Sequence, residues 1–108
     1  MPQNCAPFDW PETRRGTTVD ARLFEVTVNG AAPSVNLAIC TAIFKKDGAV
    51  TITAPVTITS ESLWHITVGP IPANTTKDLV AGNHEWALHT IDTNGRAKDY
   101  VYGKLPIT

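Results

Sequence analysis

From Thr17 onward apolar and polar residues alternate with a period of two, in short runs separated by turn residues. Thr17 to Val28 sets Phe24, Val26 and Val28 against Glu25 and Thr27, which predicts a half-buried strand. After the turn cluster Asn29-Gly30-Ala31-Ala32-Pro33-Ser34, the run Val35 to Lys46 carries Leu37, Ile39 and Ile43 on one face and Ala38, Cys40, Ala42 and Phe44 on the other. A strand apolar on both faces is either central and covered twice or has one face buried by a partner. Asp47-Gly48 predicts a two-residue hairpin turn of type I′, with φ positive at both positions. Ala49 to Thr53 then opposes Val50 and Ile52 to Thr51 and Thr53. Pro55 interrupts the pattern, which resumes with Val56 and Ile58 against Thr57 and Thr59; a proline there places the stretch at a sheet edge.

Leu63 to Val68 puts Trp64, Ile66 and Val68 inside and His65 and Thr67 outside, and Gly69-Pro70-Ile71-Pro72 ends it. Asn74 to Leu79 predicts one helical turn capped by Asn74 and broken by Gly82. Two last strands, Asn83 to Asp92 and Arg96 to Ile107, form a hairpin about Asn94-Gly95. About seven short strands and no longer helical pattern predict an all-β fold, an antiparallel β-sandwich. The Cys-Trp-Cys core of antibody domains is absent, and the chain reads as free of internal repeats and low-complexity tracts.

Residues Met1 to Arg15 stand apart, because Pro2, Pro7 and Pro11 recur among Cys5, Phe8 and Trp10 without regular periodicity. They predict an extended arm preceding a sandwich over residues 16–108. Phe8 and Trp10 are the candidate interface residues: an aromatic pair in such an arm either folds back over the sandwich or docks on a neighbouring subunit. With prolines excluding ladder bonds, the arm is expected to serve association more than folding.

The 108 residues suit one domain, and 43% hydrophobic with 18% charged residues is an ordinary globular composition. A net charge of −1, with only Arg14-Arg15 and Lys45-Lys46 as basic pairs, supplies no field for nucleic acid or an anionic membrane. No run approaches a membrane span, and the start Met1-Pro2-Gln3-Asn4 lacks the charged and apolar regions of a leader, so synthesis in the cytoplasm is expected. Cys5 and Cys40 are expected to be free thiols.

Candidate chemistry is sparse. His84 and His89 are five apart on one strand and point to opposite faces, so they do not chelate together, and His65 has no ligand cluster around it. The carboxylates form no Asp-x-Asp or Glu-x-x-His pattern, and Ser34, Ser60 and Ser62 lie in no nucleophile elbow. The glycines sit at turns rather than in a phosphate-cradling loop. Trp64 and Trp86 alternate with Ile66, Val68 and Leu88 and are expected in the core. No catalytic, metal-binding or cofactor-binding residue is expected.

One resemblance narrows the class. Arg15-Gly16-Thr17, Phe24-Glu25-Val26 with Asn29-Gly30, Val35-Asn36-Leu37, Lys46-Asp47-Gly48 and the series Leu79, Gly82, Trp86, Asp92, Gly95, Tyr102-Gly103 together resemble small tailed-phage and prophage virion proteins. Their immunoglobulin-like module is similar to the N-terminal domain of the phage upper baseplate protein. The chain departs from that pattern at His84, where an aromatic is frequent, and near Ala87, where an acidic residue is. The resemblance implies an immunoglobulin-like sandwich and a non-enzymatic particle component of the tail, baseplate or neck. It would contact other virion proteins, and self-association is possible; it would be made in the bacterial host cytoplasm before entering the virion. The alternative is a sandwich module that binds carbohydrate or a host-surface ligand through Trp10 and the hairpin loops.

Overall fold

The computed structural model describes residues 6–28 and 30–108. Cys5, the first residues of the arm and Asn29 of the first turn lie outside the described residues. Among the described residues, eight strands and one short helix follow in the order β1 (Ala6–Pro7), β2 (Arg22–Glu25), β3 (Leu37–Lys46), β4 (Ala49–Ala54), β5 (Val56–Ser60), β6 (His65–Val68), α1 (Ala73–Thr76), β7 (Gly82–Asp92) and β8 (Ala97–Ile107). They form a β-sandwich of a five-stranded sheet, β1-β8-β7-β3-β4, and a three-stranded sheet, β2-β6-β5. All neighbours are antiparallel except β1, which runs parallel to β8.

The inner faces are those that the alternation indicates. Phe24 and Val26, Trp64, Ile66 and Val68, and Trp86 and Leu88 are buried. The β3–β4 turn has φ of 53° at Asp47 and 83° at Gly48, the type I′ signature. Pro55 sits between β4 and β5, where the chain leaves the edge of one sheet and becomes the edge of the other. A residue without an N–H is tolerated there because no ladder asks for one. The helix starts earlier than Asn74: Pro72 is its N-cap, and the Thr75 and Thr76 N–H groups donate to the Pro72 carbonyl. Thr76 pins this turn, donating from Oγ1 to the Thr17 carbonyl at 2.6 Å while accepting from the Gly16 N–H.

Local bulges account for the strand that is apolar on both faces. The β3–β7 register shifts between Leu37 and Ile39, so Leu37 is fully buried while Ile39, two residues on, is 55% exposed. From Ala42 onward the even positions face inward. A second shift, between Phe44 and Lys45, leaves Thr51 of β4 unpaired and Val50 exposed. An extra residue in one strand reverses the phase of everything beyond it.

The arm is not separate from the sandwich. The Phe8 and Trp10 N–H groups donate to the Tyr102 and Lys104 carbonyls at 2.8 Å, and Thr13 N–H donates to Pro106. Arg15 N–H continues the line to Thr108, across the expected boundary between arm and domain. Residues 6–15 therefore lie along β8 as an extra edge. The prolines do not prevent this, because Pro7 and Pro11 alternate with the donating residues and their missing N–H groups face away from β8. The same alternation directs Phe8 and Trp10 inward, with Pro7, Asp9 and Pro11 exposed.

Trp10 is 3% exposed and lies edge-on to Trp86, with ring centroids 5.3 Å apart. Phe8 packs edge-on to Phe24 at 5.2 Å, and the Trp86 Nε1–H donates to the Phe8 carbonyl at 2.8 Å. Gly103 makes the approach possible: a Cβ there would overlap the Phe8 carbonyl.

These contacts set two expectations for equilibrium unfolding in urea. Trp86→Ala and Trp10→Ala should each cost about 3–5 kcal/mol, the range for a buried large aromatic, with unchanged stability refuting the placement. Gly103→Ala should destabilise the chain by lifting the arm from β8, and an unaltered midpoint would show that the arm contributes little.

Candidate interaction surface

Most inward-facing polar groups are held by hydrogen-bond partners, the buried Trp10 Nε1–H being the exception among the described residues. His84 is fully buried, with Nε2 2.8 Å from the Val80 carbonyl and Nδ1 2.9 Å from Thr51 Oγ1. Because a carbonyl only accepts, Nε2 carries the proton in that bond. The bulge at Thr51 is what turns this hydroxyl toward the imidazole. Thr90 Oγ1 donates to the Lys98 carbonyl at 2.7 Å, and Trp64 Nε1 donates to the Val35 carbonyl at 2.7 Å. His84 and His89 do face opposite ways, His89 standing outside and half-exposed with Nδ1 2.6 Å from Asp99 Oδ1. Among the described residues no group of three or more His, Cys, Asp or Glu side chains is placed to hold a metal ion.

Cys40 lies at the inner edge of the sandwich, opposite Thr90, and is a free thiol. Burial pushes it up to about 12, since the thiolate would lose hydration without gaining a partner. Nothing around it activates it as a nucleophile.

The two candidate interface residues need correction. Trp10 is buried within its own chain, and Phe8 is half-buried beneath the Arg22 guanidinium, 4.4 Å from its ring centroid. Both contact surfaces are already used in cis, so neither residue presents an aromatic anchor to a neighbour. The sequence carried a signal for this in Phe8, Asp9, Trp10 and Pro11, a short alternation masked by the prolines.

The surface that does remain open is the outer face of the five-stranded sheet. Cross-strand register arranges it in rows. Ile43, Ala87 and Tyr102 lie side by side, as do Ile39, Ile91 and Ala97. Between these apolar rows runs Thr41, His89 and Asp99, and beyond the first lies the charged row Lys45, Glu85 and Lys104. Ile39 is 55% and Tyr102 49% exposed, and no element of the described residues covers the face. A shallow depression of about 370 Å³ is bordered by Ile43, Ala87, His89 and Asp99. Apolar rows bounded by charges are the usual composition of a protein contact patch. Sequence reasoning identified the apolar second face of β3 but not its continuation across β7 and β8, which depends on register.

No family model matches the sequence, and no curated protein matches it significantly.

For Cys40, alkylation by iodoacetamide at neutral pH should be slower than for an exposed cysteine by roughly two to three orders of magnitude, following the lower thiolate fraction. The sign for stability follows from the same rise. The neutral thiol is favoured by the fold, so its contribution is complete below the ordinary thiol range near 8.5 and is lost as pH climbs toward 12. Fast labelling of the folded protein at pH 7 would refute both.

Proposed function

We propose that this chain is a non-enzymatic structural component of a phage or prophage particle, in the tail, baseplate or neck, acting through contacts with other virion proteins. It would be made in the host cytoplasm and end in the virion. The carrying observation is the outer face, covered by no element of the described residues, with its two apolar rows, Ile43-Ala87-Tyr102 and Ile39-Ile91-Ala97. A rigid two-sheet scaffold that leaves such a face open is suited to assembly rather than turnover.

The immunoglobulin-like assignment is part of the proposal. The order β8-β7-β3-β4 against β2-β6-β5 is consistent with the G-F-C-C′ and B-E-D sheets of variable-type immunoglobulin domains. On that correspondence Phe24 and Trp86, 5.4 Å apart, occupy the strands that antibody domains join by a disulfide. An aromatic contact there is compatible with a reducing compartment. The carbohydrate reading loses its platform, because Trp10, Trp64 and Trp86 are all 3% exposed or less.

The test is mass spectrometry of purified particles from a host carrying the gene, comparing the wild-type chain with Ile43→Glu/Tyr102→Lys. Wild-type protein should be found in particles, and the folded double variant should be depleted roughly tenfold or more, as expected for loss of central contacts. Absence of the wild-type chain from particles, or equal incorporation of both, would overturn the proposal.

A further inference from the structure

The run from Ala49 to Ser60 has no ionised side chain, and it forms the edges of both sheets on one side of the sandwich. Among the described residues β4 has a ladder only with β3, and β5 only with β6. The other edges are guarded by charge: β2 carries Arg22 and Glu25, and the segment along β8 carries Asp9, Glu12, Arg14 and Arg15. Natural sheets use such charges to keep copies from pairing edge to edge.

The unguarded edge has a further property that the reading of the chain as repeat-free overlooks. Val50-Thr51-Ile52-Thr53 recurs as Val56-Thr57-Ile58-Thr59, and the stretch from Thr51 to Thr59 reads nearly the same in both directions about Pro55. The backbone shares this symmetry. Thr51 is the bulged residue of β4 and Thr59 that of β5, at equal distances from Pro55. Ile52 is buried and Ile58 half-buried, whereas Thr53 and Thr57 are exposed.

We propose that this edge pairs with a second copy of the chain, antiparallel about a two-fold axis at Pro55. In that register Ile52 meets Ile58 of the second copy, Thr53 meets Thr57, and Ala54 meets Val56. Every pair joins residues of like polarity, and no charge is buried or opposed. An isologous contact requires a surface complementary to itself, which a neutral near-palindrome supplies and the charged edges do not. Pro55 lies on the axis, at a non-hydrogen-bonded position where no N–H is needed. Each five-stranded sheet would then run on into the three-stranded sheet of the other copy. This contact goes beyond the particle role and leaves the outer face free.

The experiment is sedimentation velocity over low micromolar to near-millimolar protein, for the wild type, T53K/T57K and T53K/T57E. The wild type should shift from monomer toward dimer as concentration rises. T53K/T57K sets lysine against lysine and should weaken dimerisation at least tenfold, while T53K/T57E sets lysine against glutamate in this register alone and should recover it. Thermal melts of the dilute variants confirm folding, since both threonines are exposed. Independently, amide exchange at Ala54 and Val56 of the wild type should slow as concentration rises. A wild type that stays monomeric, double variants that dimerise alike, or exchange independent of concentration would overturn the proposal.

Discussion

The packing of Trp86 is the contact on which the rest of the structure depends. Its ring stacks on Phe44 of the neighbouring strand at 5.7 Å and 21°, and reaches Phe24 of the opposite sheet at 5.4 Å. Phe8 and Trp10 from the N-terminal segment close around it, and its Nε1–H satisfies the Phe8 carbonyl. One side chain thus joins the two sheets and the arm. A small β-sandwich with no disulfide among its described residues needs such a centre, because a domain of this size has little surplus stability. Aromatic rings supply large buried area with few rotamers to immobilise.

That centre constrains what can surround it. The arm's backbone runs close alongside β8, and the residue it approaches most tightly is Gly103, which pairs with Trp86 in the β7–β8 ladder. Arg22 covers the exposed side of Phe8. Elsewhere in the core, Trp64 lies edge-on to Tyr100 at 5.5 Å, and Tyr100 stands at the β7–β8 register shift, between Asp99 and Val101. The bulge thereby packs a half-buried aromatic against the core without displacing Val101, which is buried.

The inner and outer faces of the large sheet divide the work. Polar groups turned inward, His84 and Thr90, are engaged by named partners and contribute to specificity of the fold. Outward, the same strands present isoleucines, Ala87 and Tyr102 in register, with charges in the adjoining rows. The regular geometry of the ladder sets these side chains in rows on one open face, as the proposed docking of another protein requires.

Alternation along single strands was legible in the residues alone: the inner positions of β2, β6 and β7, the type I′ turn at Asp47-Gly48, and the edge position of Pro55 all follow from local sterics and a period of two. What sequence did not decide was every feature set by a neighbouring strand. Bulges at Leu37/Ile39 and Phe44/Lys45 reversed which residues of β3 and β4 face the core, and a one-residue slip carries no local mark. Nor did the prolines of residues 6–15 reveal whether the segment was a free arm or an edge strand, because the answer depends on which N–H groups β8 requires. The open apolar face had the same origin: its residues come from three strands, and only tertiary register brings Ile43, Ala87 and Tyr102 together.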